Sequence, residues 1–577
     1  MKALDELINN PKSVAQAGGL PRALLSLVPA TADERKSFCS RVAEAHNRGK
    51  IDLVADFASL QNGRDDTDFF LTRQIFVDAL PELTTDSVAV ARTVAHLVIA
   101  AGGDIAASWP LGDFRRFLDQ DPKRPVEILA ALEGEPASLA ILLPAVAAAG
   151  FESDRAYFLG EVIRLTKSSD GLLQRMALAA LANVPLAEGE DGMPADVLLT
   201  LETAVANSDE DGALAASLSA ALTLSMKASS DRNRLTDVAR SSLDKGGEWT
   251  LSVAAENYAT SAEKLDISLV SLLSDALKTR ASENNLAHLD MGIASLLDTT
   301  NWSVGMDVLD ELLRRFSKTV KLKDFQSSKA KIANSDTLRS QAVTRWLASG
   351  EYTLCEAAAD AVQNVGRAQL TVDVDTAQVN FQDEESIEFI ARKAAGFLFF
   401  SPVAAASFLI SLLRGGPIEP IKQLLLDPLL LNYTSSVREI LLQRVETESG
   451  EVVAALRDCL QTIESYLNAL GKASGLKEVR MSDEERAIFN RSLSQKMSKS
   501  FDVARSEMPL LSMVKRSVVL YGRGSVQRVA RPDGSTYRAD MMFKTQGTEI
   551  TFPRMMHIDE LGLHFLLRVL RAEKRVK

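Results

Sequence analysis

The 577-residue chain is too long for a single hydrophobic core, so it predicts several domains or a repeat array. Hydrophobic residues make up 46% of the chain, charged residues 25% and aromatic residues only 6%, which argues against a disordered chain and against a β-sandwich or barrel. The net charge of −12 is unevenly spread, because residues 511–577 hold 13 Lys and Arg against 6 Asp and Glu. An acidic body with a basic C-terminal region predicts two surfaces with different partners.

The stretch around residue 170 shows the kind of unit from which the chain is built. Asp170 is placed to cap a helix start. The apolar residues that follow recur at spacings of three and four and form one helical face: Leu173, Ala177, Ala180, Leu181 and Val184. Ser153–Lys167 predicts a second helix, and the short turn between the two requires them to lie antiparallel. Such a pair cannot bury its apolar face alone, so further pairs are expected to stack on it.

Similar helical runs, separated by clusters of Ser, Asp, Gly or Asn, follow one another as far as Val365. Asp170–Val184 and Leu354–Val365, with alanines on the packed side and an apolar ridge, resemble the HEAT and armadillo class of α-solenoid repeats. The resemblance implies a mainly α protein in which residues 1–365 form an irregular HEAT-like α-solenoid of antiparallel helix pairs. A regular array would show a fixed period of about 40 residues. The sequence does not display one, and an irregular helical bundle is the alternative.

Residues 366–385 interrupt the helices and predict a β-hairpin insertion. In Leu370–Phe381 apolar and polar residues alternate on either side of Asp375-Thr376, the pattern of two short strands. Acidic residues also cluster here, but the spacing of a calcium-binding loop is absent. We interpret the cluster as a solvated acidic surface.

A second helical region is predicted over residues 386–510. Within it, Ala394–Leu413 carries no charge and is long enough to cross a bilayer. Ser401-Pro402 interrupts it in the pattern of an N-cap and a first helical residue. The stretch is therefore predicted to form two short buried helices, Ile387–Phe400 and Pro402–Arg414, and no membrane residence is expected.

Residues 511–577 predict a small basic α+β module. Four short strands are expected: Ser517–Tyr521, Ser525–Ala530, Thr536–Phe543 and Glu549–Phe552. Asp559 is expected to cap a last helix, Glu560–Glu573, whose apolar stripe is Leu561, Phe565 and Val569. The simplest fold for this segment is an antiparallel sheet with the helix on one face.

Basic residues interleaved with tyrosines in this module form the candidate binding site. They are Lys515, Arg516, Tyr521, Arg523, Arg528, Arg531, Tyr537, Arg538 and Lys544. A sheet with exposed arginine and tyrosine can hold a phosphate backbone and stack bases. The alternatives are a solvated sheet face, or a face docked on acidic helices of the same chain or of a neighbour.

No catalytic, cofactor-binding or metal-binding residue is assigned. His557 and His564 lie close in sequence but lack HExxH spacing, and Gly522–Ser525 lacks the P-loop pattern. Three cysteines lie far apart without CxxC spacing, which argues against a disulfide framework and a zinc site and indicates a reduced, intracellular chain: Cys39, Cys355 and Cys459.

Three functional hypotheses follow. The first is a cytoplasmic, non-enzymatic scaffold or assembly factor, with an acidic helical surface that grips a partner protein and a C-terminal module that docks a second partner or another copy. The second is a nucleic-acid-associated protein that binds phosphate backbone through the basic module, with an affinity that falls steeply with salt. The third is an enzyme with an unrecognised site, which predicts a deep pocket with converging titratable groups.

Overall fold

The computed structural model describes residues 2–9, 19–29, 31–63, 68–102, 105–186, 189–363, 370–476, 481–507, 524–530, 536–542 and 553–575. The described chain is mainly helical, which confirms the predicted fold class at that level. It separates into two compact units, residues 1–334 and residues 335–577.

The first unit consists of helices joined by short turns. Their bounds are α1 Lys2–Asn9, α2 Leu20–Leu25, α3 Ala32–Asn47, α4 Leu53–Phe57, α5 Phe69–Ala79, α6 Ser87–Ala101, α7 Pro110–Asp119, α8 Lys123–Leu132, α9 Pro136–Leu139, α10 Leu143–Ser153, α11 Arg155–Leu165, α12 Gly171–Ala180, α13 Ala195–Asn207, α14 Asp211–Ser225, α15 Arg232–Lys245, α16 Glu248–Ser261, α17 Ile267–Arg280, α18 Leu286–Leu297, α19 Trp302–Arg315 and α20 Gln326–Asn334.

The local predictions around residue 170 are confirmed. The Asp170 carboxylate accepts a hydrogen bond from the amide of Leu173 at 2.9 Å and so caps α12. All five residues of the predicted apolar face are buried. The cap and the apolar spacing both act within a few residues, which is why the sequence alone was sufficient here.

Helices α10 to α20 pack in two rows. In the even row each helix contacts the next even-numbered helix, from α10 through α12, α14, α16 and α18 to α20. In the odd row α11, α13, α15, α17 and α19 contact one another in the same order. Helices adjacent in sequence also pack together, as α14 does with α15 and α16 with α17. No residue of α14 is exposed, as expected for a helix covered on all sides.

A series of basic side chains joins the ends of the odd-row helices. Lys245, the last residue of α15, donates hydrogen bonds to two carbonyls at the end of α13. Arg280 ends α17 and donates to carbonyls at the end of α15, and Arg315 ends α19 and donates to the carbonyl of Lys278 in α17. The last carbonyls of a helix lack partners within it and favour a cation. Each of these contacts therefore completes one helix and ties the next one to it.

Carboxylates act in the same way at the helix starts of the even row. Asp211, the first residue of α14, accepts hydrogen bonds from three amides and a hydroxyl at the start of α16. Asp290 in α18 accepts from the amides of Ser327 and Ser328 in the first turn of α20, at 2.7 and 2.8 Å. Burial opposes ionisation of Asp211, yet these hydrogen bonds hold its pKa below the ordinary value. In these two pairs, α14 with α16 and α18 with α20, a carboxylate of the earlier helix thus holds the start of the later one.

The basic series allows a direct test of these contacts. We expect Arg280→Met to destabilise α15 and α17 by about 1–2 kcal/mol, because methionine keeps an apolar stem and removes the donors to the α15 carbonyls. Hydrogen exchange of the α15 amides in the full chain measures the effect. Arg240→Met, at an exposed position on α15, is the matched control and should change protection by less than about 0.5 kcal/mol. Equal effects of the two substitutions would mean that the end contacts contribute nothing.

In its described part, the second unit is helical with one strand pair. Its elements are α21 Asp336–Ser349, α22 Tyr352–Val362, α23 Glu384–Phe397, α24 Pro402–Leu413, α25 Ile418–Leu424, α26 Thr434–Thr447, α27 Gly450–Ala473, α28 Asp483–Glu507, β1 Gly524–Ala530, β2 Thr536–Met542, α29 Met555–Ile558 and α30 Glu560–Ala572. The two strands pair antiparallel. The predicted strands Ser517–Tyr521 and Glu549–Phe552 lie outside the described residues.

The predicted hairpin insertion is not formed in the described residues 370–383, which contain no strand. The amides of Val372 and Val374 instead donate hydrogen bonds to the hydroxyls of Ser407 and Ser411 on α24, each at 2.8 Å. Both valines are buried. The alternating pattern therefore arises from an extended segment that packs one side on a helix, and not from two strands that pair with each other.

The apolar stretch Ala394–Leu413 is divided as predicted. Helix α23 ends at Phe397, and Pro402 is the first residue of α24. The charge-free residues of both helices are almost all buried in the second unit. Among the described residues, one other stretch, Pro136–Ser153, is long and apolar enough to cross a membrane, and half of it is buried within the protein.

Candidate functional site

The basic candidate site is only partly described. Six of its nine residues lie outside the described residues: Lys515, Arg516, Tyr521, Arg523, Arg531 and Lys544. The other three lie on the strand pair, where the register sets Arg528 directly opposite Arg538 and Tyr537 opposite Val529. The register thus brings two of the predicted basic positions to neighbouring places on the strand pair.

Helix α30 is apolar on two sides. Its buried side packs on α23, and consists of Leu563, Leu567 and Leu570. On its other side Leu561, Phe565 and Val569 are 83%, 70% and 50% exposed. The prediction that this second set is the packed stripe is wrong. Both sets recur at helical spacing, and only the contact with α23 decides between them.

A buried lysine fixes the C-terminal end of α30. Lys393 on α23 is fully buried, and its Nζ donates hydrogen bonds to the carbonyls of Arg571 and Glu573, both at 2.6 Å. The same Nζ lies 5.2 Å from the ring centre of Phe389 and 5.9 Å from that of Phe397. Burial lowers the pKa of Lys393. A cation at the negative end of a helix nevertheless satisfies carbonyls that have no partner inside the helix.

Three further contacts hold α30 against α23. The Arg571 Nε donates to the carbonyl of Gly396 at 2.8 Å, and Arg392 binds both oxygens of the Glu573 carboxylate at 2.8 and 3.0 Å. A Cβ at Gly396 would lie 2.9 Å from the Cβ of Leu570. The absence of that atom is what permits the close approach. Helix α30 is therefore an integral part of the second unit, and not a cover for the strand pair as predicted.

The first unit contains a groove of about 950 Å³ between α3, α5 and α7. Trp109 and Leu71 line it and are 64% and 60% exposed. Charged side chains of both signs complete the lining: Arg35, Lys36, Arg73, Asp78, Glu82, Asp113 and Arg116. Burial raises the pKa of Asp113, and its ion pair with Arg116 at 2.6 Å opposes that rise. The groove thus joins an exposed aromatic surface to a mixed charged one.

A buried arginine positions the segment that carries Trp109. Arg73 on α5 donates hydrogen bonds to the carbonyls of Ala106 and Ala107, at 2.6 and 3.3 Å, in the short turn that precedes Trp109. Its guanidinium lies 5.0 Å from the ring centre of Phe70. The indole is therefore held out toward solvent by a fixed backbone. This site was not predicted from the sequence, where its one signal is a tryptophan placed directly before Pro110 at a helix start.

The cysteines are buried, and two of the histidines are bound to backbone groups. Burial raises the thiol pKa of Cys39 and Cys355 to about 12 and that of Cys459 to about 11, so these cysteines are poor nucleophiles. His46 and His96 hydrogen-bond to backbone groups. Among the described residues, no three His, Cys, Asp or Glu side chains are grouped to hold a metal ion.

Comparison with known proteins finds no matching family model and no curated protein of significant similarity. Two candidate binding surfaces of the described residues are therefore interpreted from their own geometry. They are the Trp109 groove of the first unit and the exposed side of α30 in the second.

Proposed function

We propose that this protein is a non-enzymatic, cytoplasmic scaffold or assembly factor built on an irregular HEAT-like α-solenoid. The two rows of α10 to α20 support the solenoid, because every helix packs on the helix two positions along. The cations Lys245, Arg280 and Arg315 support it further, because they repeat every 35 residues and make the same contact each time. Stacked helix pairs of this kind present long surfaces for protein partners.

The Trp109 groove is the observation that carries the binding role. Tryptophan and arginine are enriched among the residues that dominate binding energy in protein interfaces. Trp109 and Leu71 offer an apolar contact at a site where the backbone is already ordered by Arg73. Preorganisation of this kind lowers the entropic cost of binding. The ligand we propose is a segment of a partner protein that sets an apolar side chain on Trp109 and pairs its charges with the acidic and basic groups around it.

A non-enzymatic role is supported by the state of the reactive side chains. The three thiols have raised pKa values and lie in the core. The groove itself combines an indole, a leucine and ion-paired groups, which is the composition of a binding surface and offers no paired nucleophile and base.

Binding of nucleic acid through the basic module is the second candidate function. The register that sets Arg528 opposite Arg538 favours it, because basic residues at neighbouring positions of a sheet can contact one phosphate backbone. This role is compatible with a solenoid body that holds a protein partner.

Affinity capture with the tagged full chain, with and without nuclease, tests the proposed function. We expect a stoichiometric protein partner that survives nuclease, and we expect Trp109→Ala and Leu71→Ala each to weaken its binding at least about tenfold. The reason is that both substitutions remove exposed apolar area from the groove without touching the core. Binding of the captured partner to each variant, measured by titration, gives the fold-change.

Two exposed residues of the same unit serve as matched controls. Trp249→Ala and Leu199→Ala remove side chains of the same type at exposed positions outside the groove. Both should leave the affinity within about twofold, the range expected for residues outside a hot spot. A partner that is lost on nuclease treatment would instead favour the nucleic-acid role. A nuclease-resistant partner that binds the groove variants and the controls equally would contradict the role of the groove.

A further inference from the structure

The exposed side of α30 has the properties of an interaction surface. Leu561, Phe565 and Val569 are exposed and spaced four residues apart, so they form one stripe along the helix. At 100° per residue this stripe lies opposite the buried leucines that pack on α23. Large apolar side chains in a continuous exposed row mark a site that another surface covers.

The charges beside the stripe point to the identity of that surface. Glu560 and Arg568 each lie next to a stripe residue and on the same flank of it, one near the start of the helix and one toward its end. When a helix of this kind meets a second copy in antiparallel orientation, the same flanks face each other with their ends exchanged. Glu560 of each copy then meets Arg568 of the other. A parallel arrangement would set this flank against Gly562 and Leu566, which carry no charge.

We propose that α30 binds the α30 of a second copy of the chain in antiparallel orientation, around a two-fold axis at Phe565. Leu561 of one copy then lies against Val569 of the other, and the two Phe565 rings meet at the axis. The contact is isologous, so every residue pair other than Phe565 with Phe565 occurs twice. The Glu560 carboxylate lies beside Lys496 and, at 3.7 Å, His564 within its own copy and is still partly exposed, so it can accept a further cation. Arg568 is exposed.

The surface contains a single short helix from each copy. Stable dimers commonly bury about 1,200–2,000 Å² in total, and one three-residue stripe provides less. The proposed dimer is therefore weak and depends on concentration. Its contact lies in the second unit and is independent of the Trp109 groove, so either proposal can fail while the other stands.

Sedimentation velocity of the full chain, from about 1 to about 100 μM, tests the proposal. We expect a reversible monomer–dimer equilibrium, and we expect Phe565→Asp to raise the dissociation constant at least about thirtyfold, because a carboxylate would be buried at the axis. Phe565 is exposed in the single copy, so the variant should keep the circular dichroism spectrum of the wild type. The matched control Phe400→Asp changes an exposed phenylalanine of the same unit that lies off the stripe, and it should leave the equilibrium unchanged.

A charge exchange tests the orientation. Arg568→Glu alone sets two acidic groups against each other twice in a homodimer, and Glu560→Lys alone does the same with basic groups, so both variants should be monomers. An equimolar mixture of the two should dimerise again, because both ion pairs then form in the mixed dimer. A wild-type chain that stays monomeric throughout, or a dimer that tolerates Phe565→Asp, overturns the proposal. Failure of the mixture to recover would overturn the antiparallel orientation.

Discussion

Replacement of Lys393 by methionine is expected to release α30 from α23, at a cost of about 3 kcal/mol. The substitution removes two hydrogen bonds from a charged donor to the carbonyls of Arg571 and Glu573, each worth roughly 1.5–3 kcal/mol. Removal of the buried charge offsets part of this loss of free energy, because the desolvation penalty of the ammonium disappears. We expect the loss of the two hydrogen bonds to exceed the recovered desolvation energy, because the substitution leaves both carbonyls at the end of the helix without this donor.

Hydrogen exchange of the α30 amides in the full chain measures this effect. A cost of about 3 kcal/mol corresponds to exchange that is roughly 100-fold faster. Lys574→Met changes an exposed lysine three residues beyond Arg571 and is the matched control, with exchange expected to stay within about twofold of wild type. Unchanged protection of α30 in Lys393→Met would show that the buried ammonium does not hold the helix.

The same lysine predicts the direction of a pH effect. Burial lowers its pKa in the docked state below the ordinary value of 10.5. At a pH between the lowered pKa of the docked state and the ordinary pKa, the lysine is protonated in the undocked state and largely deprotonated in the docked state. The undocked state then binds more protons, so the contribution of Lys393 to docking rises as the pH increases. Lys393→Met should remove that rise. A docking equilibrium that weakens through the same pH window in the wild type and not in the variant would contradict the assigned direction.

Features that depend on neighbouring residues were predictable from the sequence. Asp170 and Asp559 each cap the helix that follows by accepting a hydrogen bond from an amide three residues later. The break between α23 and α24 follows from Pro402, which cannot continue a helix. In each of these cases the cause and its effect lie within four residues.

Features that depend on distant contacts were not predictable in the same way. Leu561 and Leu563 are equally apolar, and the choice of buried face in α30 is made by α23, more than 160 residues earlier. Val372 and Val374 alternate with polar residues because they face α24, a contact that resembles strand pairing in a single sequence. The exposure of Trp109 depends on the hold that Arg73 has on the preceding turn.

A regular spacing was present in the sequence, but in basic residues and not in apolar ones. Apolar spacing varies from pair to pair, which is why no fixed period is visible in it. The cations Lys245, Arg280 and Arg315 recur every 35 residues because each must reach back to the end of the preceding odd-row helix. A search for basic residues at helix ends would have found this spacing, whereas a search for hydrophobic periodicity does not.

A second large effect is expected where the even-row helices α16 and α18 approach each other closely. A Cβ at Gly292 of α18 would lie 2.2 Å from the ring carbon Cδ1 of Tyr258 on α16 and 2.8 Å from the Tyr258 carbonyl oxygen. Tyr258 is fully buried, and its hydroxyl accepts a hydrogen bond from Ser274. We therefore expect Gly292→Ala to lower the free energy of unfolding of the first unit by about 3 kcal/mol, because neither the ring nor the backbone can withdraw without loss of packing.

Gly160→Ala makes the identical chemical change in α11 and should act in the opposite direction. No atom lies within 4 Å of a Cβ at Gly160. Only the helix propensity of alanine acts there, and it stabilises by up to about 1 kcal/mol. Thermal and denaturant unfolding measure the change in the free energy of unfolding for both variants. Hydrogen exchange then assigns each change to the first unit. If Gly292→Ala also stabilised, α16 and α18 would lie farther apart than described, and the close stacking of the even row on which the solenoid proposal depends would be wrong.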